Sequence, residues 1–262
     1  MSRPEFDHLM IAVADLDTAA ARYRGLGFDV RAGGRHHALG TENVIIPFRA
    51  GRYIELIGVR DAVAARRRLN EGARFVELVD AYDEIPLIFV LRAGDLEDVR
   101  ARLDSAGIAM GGPDRLSRDD PAGRAVAFSV LQPGAGPWRR GFPSFIDWGD
   151  APLPAAVPGD HPNGATDITA LDVLVPRVEP HMRHYRALGF EAVAHGEEDR
   201  GVIGLGGVEL RLGGPSSGAG AAEALASHGA GVCAVRLSGN ESFTAGPAVG
   251  RPFSLRLDRW AG

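Results

Sequence analysis

The chain has 262 residues, 45% of them hydrophobic and 24% charged, with a formal net charge of −5, which places it among ordinary globular proteins of one large or two modest domains. That balance, broken by no basic run longer than the RRR at 66–68, excludes the electrostatic footprint of a nucleic-acid binder, and no apolar stretch approaches the ~18–20 residues of a membrane-spanning helix. All 29 basic residues are arginine, which excludes chemistry built on a lysine Schiff base or a P-loop lysine.

From the N-terminus, the apolar run in HLMIAV predicts a strand, and the amphipathic stretch after it predicts a helix that ends at YRGLGF, residues 23–28, where Leu-Gly suits a helix C-terminus. Strand-like segments FDVRAGG, NVIIPFR and RYIELIGV follow, separated by glycine turns. The phrase then returns. Residues 88–108 align with the first copy when Asp95 is laid on Asp15, and residues 170–190 lie over 8–28 without a gap, Tyr185 on Tyr23. RAVAFSVL and FPSFIDWG follow the second copy; EAVAHG, GVIGLGG and VELRLGG follow the third. The repeating unit is βαβββ, and the tail GVCAVRLSG…RPFSLRLDRW offers two strands without a helical span, a truncated fourth unit.

The expected fold class is therefore α+β: tandem βαβββ modules forming curved antiparallel or mixed sheets around a cleft, with the helices outside. The expected domains are 1–149, holding modules 4–60 and 85–149; a Pro/Gly-rich linker, 150–166; and 167–262, holding one module and the truncated fourth. A linker of that composition is expected to carry few buried backbone bonds and to tolerate cleavage better than residues 40–60. The N-terminus lacks the order of a signal peptide and the single Cys233 has no internal disulfide partner, so the expected compartment is the cytoplasm.

Strand alternation puts Leu9, Ile11 and Val13 beneath the helix and His8 toward the cleft; in RYIELIGV it turns Ile54 and Leu56 to the helix, and Tyr53, Glu55 and Ile57 to the cleft. An imidazole and a carboxylate then face one concavity, suitable ligands for Zn, Ni, Mn or Fe(II). Trp138, Trp148 and Phe142 in PWRRGFPSFIDW are candidate apolar walls. Arg139 and Arg140 beside them read as exposed loop arginines or, alternatively, as receivers of a substrate carboxylate, and His181 and His184 as a solvated helix face. The Gly-x-Gly in GVIGLGG lies between strands, so the dinucleotide reading fails.

With these residues in place, FDHLMIAVADLD…YRGLGF…GGRHHALGTENVIIPF…RYIELIGV resembles the first module of the vicinal oxygen chelate superfamily, and specifically its glyoxalase-like domain family. The resemblance implies a divalent metal held by a His of the first strand and a Glu of the fourth, positions that His8 and Glu55 match. The chain also matches the family's Gly-x-His-x-x-x-Gly-Thr-x-Asn signature with His36, Thr41 and Asn43; a hairpin holding them over the cleft can supply a third metal ligand, a general base or hydrogen bonds to an oxygenated substrate, with His36 taken as the catalytic base and His37 its replacement if the register differs by one. The pattern is broken elsewhere: Ile88 and Ala170 stand in the place of His8. Glu209 is read opposite Glu55, but in company with Arg211 and Asp172, an ion-paired cluster. In FPSFIDWG, parity leaves open whether Asp147 or the Ser144, Ile146 and Trp148 set faces the cleft; Asn43, Thr41, Trp148 and Asp147 are the expected substrate-binding residues. The function implied is a divalent-metal-dependent lyase, isomerase or dioxygenase acting on a small oxygenated metabolite, with a metal-free ligand-sequestering protein, as among antibiotic-resistance relatives, as the alternative. The expected partner is a small molecule, with a homodimer allowed.

Overall fold

The structure, a computed structural model, describes residues 3–68, 72–134, 136, 138–195, 199–239, 243–245 and 252–259. The first half runs β1 (Glu5–Val13), α1 (Leu16–Gly25), β2 (Arg31–His36), a 3-10 turn (His37–Leu39), β3 (Thr41–Pro47), β4 (Tyr53–Val59), α2 (Ala62–Arg68), α3 (Gly72–Ala81), β5 (Glu84–Arg92), α4 (Leu96–Ser105), β6 (Met110–Asp119), β7 (Ala125–Pro133) and β8 (Ser144–Asp147). The second runs β9 (Ala165–Leu174), α5 (Val178–Ala187), β10 (Ala192–His195), β11 (Arg200–Gly204), β12 (Glu209–Gly213), α6 (Ala221–His228), β13 (Gly231–Gly239), β14 (Phe243–Ala245) and β15 (Ser254–Arg259).

The repeated phrase gives one local solution three times. In α1, α4 and α5 the N–H of Phe28, Ile108 or Phe190 closes on the carbonyl of Tyr23, Leu103 or Tyr185. The residue before each, Gly27, Gly107 or Gly189, sits at φ 81, 78 or 78, where a Cβ is strained. Helix starts are less uniform. Asp15 and Asp95 accept the N–H of Thr18 and Asp98 at 2.6 and 2.9 Å, whereas Arg177 in the same place supplies no side-chain cap, so only the first two gain the ~1 kcal/mol of a cap.

Two sheets result. β1, β4, β3, β2, β6, β7, β8 and β5 close into a barrel in that order, and β10, β11, β12, β9, β13, β15 and β14 form an open sheet. Leu9, Ile11, Val13, Ile54 and Leu56 point away from the barrel interior and are at most 1% exposed, in one apolar core with Tyr23 of α1, Val99 of α4, Tyr185 of α5 and Leu171 and Val173 of β9. The helices thus lie outside the barrel, as alternation requires, and one core joins the two sheets.

Three features depart from the sequence reading. Residues 62–68 and 72–81, assigned nothing, form α2 and α3, the first capped by Asp61, which accepts the N–H of Val63 and Ala64. Residues 110–119, also unassigned, form β6, which closes the barrel against β2. The linker is strapped down rather than loose: Ala155 is fully buried and bridges to Gly51, Gly159 and Asn163 donate their N–H to Pro47 and Gly27, and Arg31 donates to the carbonyls of Val157 and Pro158. At its centre the buried His161 places Nε2 against the Pro47 carbonyl at 2.9 Å and accepts the Asp29 N–H at Nδ1. Proline and glycine set the linker's backbone without saying that its polar groups find partners. The charged turn read at 195–201 lies partly outside the described residues, and no helix among them is long and apolar enough to cross a membrane.

Candidate functional site

The barrel encloses a cavity of about 160 Å³, comparable with the ~150 Å³ apolar cavity that takes benzene in another protein. A single ring or a short chain fits it. Alternation delivers its polar end: β1 contributes His8, β2 His36, β3 Thr41 and Asn43, and β4 Tyr53 and Glu55. Met10, Ile57, Ile88, Val130, Ile146 and Trp148 form much of the remaining wall.

One imidazole is held from several sides. His8 donates Nδ1–H to Asp7 at 2.7 Å; Asp7 also accepts the Trp148 indole N–H at 3.2 Å, and the Arg92 guanidinium stands 3.8 Å away. Asp7 is 1% exposed, so these contacts offset the large cost of burying its charge. Tyr53 stacks on the His8 ring at 4.5 Å and 14°. With Nδ1–H given to Asp7, Nε2 carries the ring's lone pair on the cavity side; the Glu55 carboxylate lies 3.5 Å from Nε2 and accepts the Asn43 amide N–H on its other oxygen. Fixing one ring nitrogen with a carboxylate sets the tautomer and leaves the other to do chemistry.

The hairpin signature has a steric reason. Gly40 adopts φ 64, and a Cβ on it would meet the Asp61 carbonyl at 2.4 Å; a Cβ on Gly34 would meet the Asp119 carbonyl at 2.2 Å, at the seam where β2 pairs β6. The turn between them brings His36 inward, 6% exposed, with the Thr41 hydroxyl 3.3 Å from its Nδ1, while His37 is exposed beside Asp119. Burial holds the His36 pKa below the ordinary value, and the Arg118 and His8 charges push the same way against Glu55. Near neutral pH its ring is uncharged, able to donate from one nitrogen and accept at the other. The Asn43 Oδ1, Trp138 Nε1 and Ser144 Oγ atoms are buried without a hydrogen-bond partner among the described residues, and all three residues line the cavity. Orphaned polar atoms around one void are where a ligand's oxygens and hydroxyls find partners.

The structure thus brings His8, His36, Thr41, Asn43, Glu55 and Trp148 into one cavity. Asp147 is not with them. Ser144, Ile146 and Trp148 take the inner parity, and the Asp147 carboxylate accepts the Gly149 N–H in a surface turn. Trp138 is a wall, but Phe142 packs between the halves against Tyr185 and His184. Arg139 is no exposed arginine: it donates to the carbonyls of Pro86 and His228, and burial lowers its pKa to about 10. His184 leaves the solvated face expected of it, and burial lowers its pKa to about 4. Burial likewise pushes the Cys233 thiol up to about 11, so it is protonated and unreactive at neutral pH.

Sequence reasoning missed Asp7, Arg118, Leu116 and Phe75. Arg118, 8% exposed, donates to the Gly33 carbonyl at 2.6 Å and carries a positive charge to the polar end. Asp114, Leu116 and Arg118 alternate inward along β6, a parity that was legible once MGGPDRLSRD is recognised as a strand.

A metal tests differently. His8 and Glu55 are the expected ligands, yet among the described residues no group of three or more His, Cys, Asp or Glu side chains is placed to hold an ion, and a catalytic ion takes about three protein ligands. As arranged, with one Glu55 oxygen engaged by Asn43, the donor set does not fit a resident ion.

Three histidines give a pH dependence. His36, His161 and His184 are all held below 6.5, in each case first by burial. The unfolded chain takes up these protons first, so stability is complete above about pH 6.5 and falls as pH drops toward about 4. Thermal melts between pH 7.5 and about pH 4.5 should show this loss; an unchanged melting temperature contradicts it.

Residues 6–189 match the profile of the family described as a glyoxalase-like domain. No curated protein matches the sequence. Among solved structures, a hypothetical protein from Staphylococcus aureus is 17% identical, with a TM-score of 0.75 over 98% of this chain and 100% of its own. A xylose isomerase-like TIM barrel/4-hydroxyphenylpyruvate dioxygenase fusion protein is 13% identical, with a TM-score of 0.57 over 100% of this chain and 50% of its own. A methylmalonyl-CoA epimerase from Mycobacterium tuberculosis is 22% identical, with a TM-score of 0.41 over 58% of this chain and 92% of its own. At these identities the first two likenesses show the fold.

Proposed function

Since the chain belongs to the glyoxalase-like domain family, with the vicinal oxygen chelate fold, we propose that its barrel is an enzyme active site that moves a proton on a small, largely apolar, oxygenated substrate. The observation that carries this reading is His8, fixed at Nδ1 by Asp7 at 2.7 Å and presenting Nε2 to the cavity beside Glu55.

His8 Nε2 takes a proton from a carbon next to a carbonyl. The imidazolium that forms lies between the Asp7 and Glu55 carboxylates, which stabilise a charge absent from the ground state. Negative charge gathers meanwhile on the substrate oxygen, where Arg118 supplies a fixed cation and His36 and Asn43 supply hydrogen-bonding groups in a site shielded from water. Return of the proton to the same or a neighbouring atom completes an isomerisation; departure of a β-substituent completes an elimination. The resemblance implied a divalent ion, but the two-ligand donor set supports proton transfer without one.

Elemental analysis of protein prepared without a metal-affinity tag tests this. It should find less than about a tenth of an equivalent of any divalent transition metal, and turnover should survive chelator. A stoichiometric ion lost in Glu55→Gln would restore the metal reading. The alternative of a metal-free sequestering protein draws support from the mostly apolar wall; tight ligand binding with no exchange of substrate hydrogens would favour it.

A further inference from the structure

The open C-terminal sheet repeats the barrel with one strand missing. β9, β12, β11 and β10 stand as β1, β4, β3 and β2 do, and β13, β15 and β14 as β5, β8 and β7 do, while among the described residues no strand takes the place of β6. The interior that β6 seals in the first half is reached from outside in the second, through a groove of about 710 Å³.

Strand register says what has become of the site. His8 pairs Tyr53 and Met10 pairs Glu55; Ala170 pairs Glu209 and Asp172 pairs Arg211. With Ala170 on His8, the counterpart of Glu55 is Arg211, not the Glu209 that sequence comparison placed there. The same register along β11 puts Arg200 on Asn43, along β13 puts Arg236 on Val90, and along β15 puts Arg256 on Ser144. All four replaced residues line the barrel cavity, and all four arginines line the groove.

Four guanidinium groups converging in one concavity repel one another. Among the described residues two acids share it: Asp172 accepts Arg236 at 2.8 Å, and Glu209 accepts Arg211 at 2.5 Å. Arg200 donates to the Ser217 carbonyl at 2.6 Å, and Arg256 Nε is buried with no hydrogen-bond partner among the described residues. Guanidinium forks suit carboxylate and phosphate oxygens. We propose that this groove is a second ligand site, for a small metabolite carrying at least two carboxylate or phosphate groups, independent of the barrel.

Calorimetric titration of the whole chain at low ionic strength with citrate and, separately, pyrophosphate up to about 10 mM tests this and distinguishes the two anion chemistries. At least one should bind saturably, with affinity reduced about tenfold or more when Arg211→Gln and Arg256→Gln are combined and unchanged by Arg118→Gln in the barrel. In the unmodified protein the bound anion should also slow phenylglyoxal labelling of Arg211 and Arg256, read by mass spectrometry, which keeps the test independent of whether the variant folds. Binding of neither anion, binding lost in Arg118→Gln but kept in the double variant, or labelling unaffected by a saturating anion would overturn the proposal.

Discussion

Replacing His8 by glutamine should lower kcat by about 10²–10⁴-fold, the usual share of a positioned general base, while KM changes little. Glutamine keeps the polarity of the position and leaves the apolar wall intact, so what is lost is the nitrogen that takes the proton. Asp7→Asn acts at one remove: the His8 ring stays in place, stacked on Tyr53 at 4.5 Å, but loses the carboxylate that fixes its tautomer. The acid limb of its kcat profile should shift, which a merely structural role for Asp7 would not produce. Combining His8→Gln with Glu55→Gln should cost less than the sum of the two, since both act on one proton. A His8→Gln variant that folds, binds and turns over at the original rate contradicts the account of the site.

Tyr23→Ala should destabilise the fold by about 3–5 kcal/mol, as for other large aromatic truncations in a packed core. Tyr23 is 2% exposed, and its hydroxyl donates to the buried Glu84, which Arg22 also engages. Tyr23→Phe keeps the packing and removes a donor from a buried carboxylate, for an expected cost of about 1–3 kcal/mol. The repeat supplies a control. Tyr185 holds the same place in α5, but its buried hydroxyl has no hydrogen-bond partner among the described residues, so Tyr185→Phe should fall within about 0.5 kcal/mol of the parent. Urea unfolding of the three variants checks the order, and equal losses for the two Phe substitutions would contradict it.

The helix-ending glycines were legible in the sequence because left-handed backbone strongly favours glycine, and the repeat marks them three times. The facing of His8 and Glu55 was legible because a strand has only two sides. β6 was not, since MGGPDRLSRD mixes glycine, proline and four charges, and its register is set by closure against β2 rather than by its own pattern. Phe75 was missed because α3 belongs to no repeat and its role depends on where the chain between modules comes to rest. Asp7 escaped for a different reason. It neighbours His8 along a strand, where parity sends it to the opposite face, but β1 and β5 shift register between Phe6 and His8, and the local irregularity lets Asp7 reach the His8 ring. In the C-terminal half, matching one glutamate to another by residue type put Glu209 on Glu55; only strand pairing reveals that an arginine stands there.

The central claim, that the barrel moves a proton through His8 without a resident metal, is tested most directly by solvent-deuterium exchange. Small α-hydroxy ketones and 2-oxo acids no larger than a single ring are incubated with the protein in deuterium oxide and followed by proton NMR. The account predicts that a substrate in this class loses its α-hydrogen signal, at a rate unchanged by chelator and lowered about 10²-fold or more in His8→Gln. Exchange that persists undiminished in His8→Gln, or that stops on chelation and returns only with a divalent ion, would contradict it.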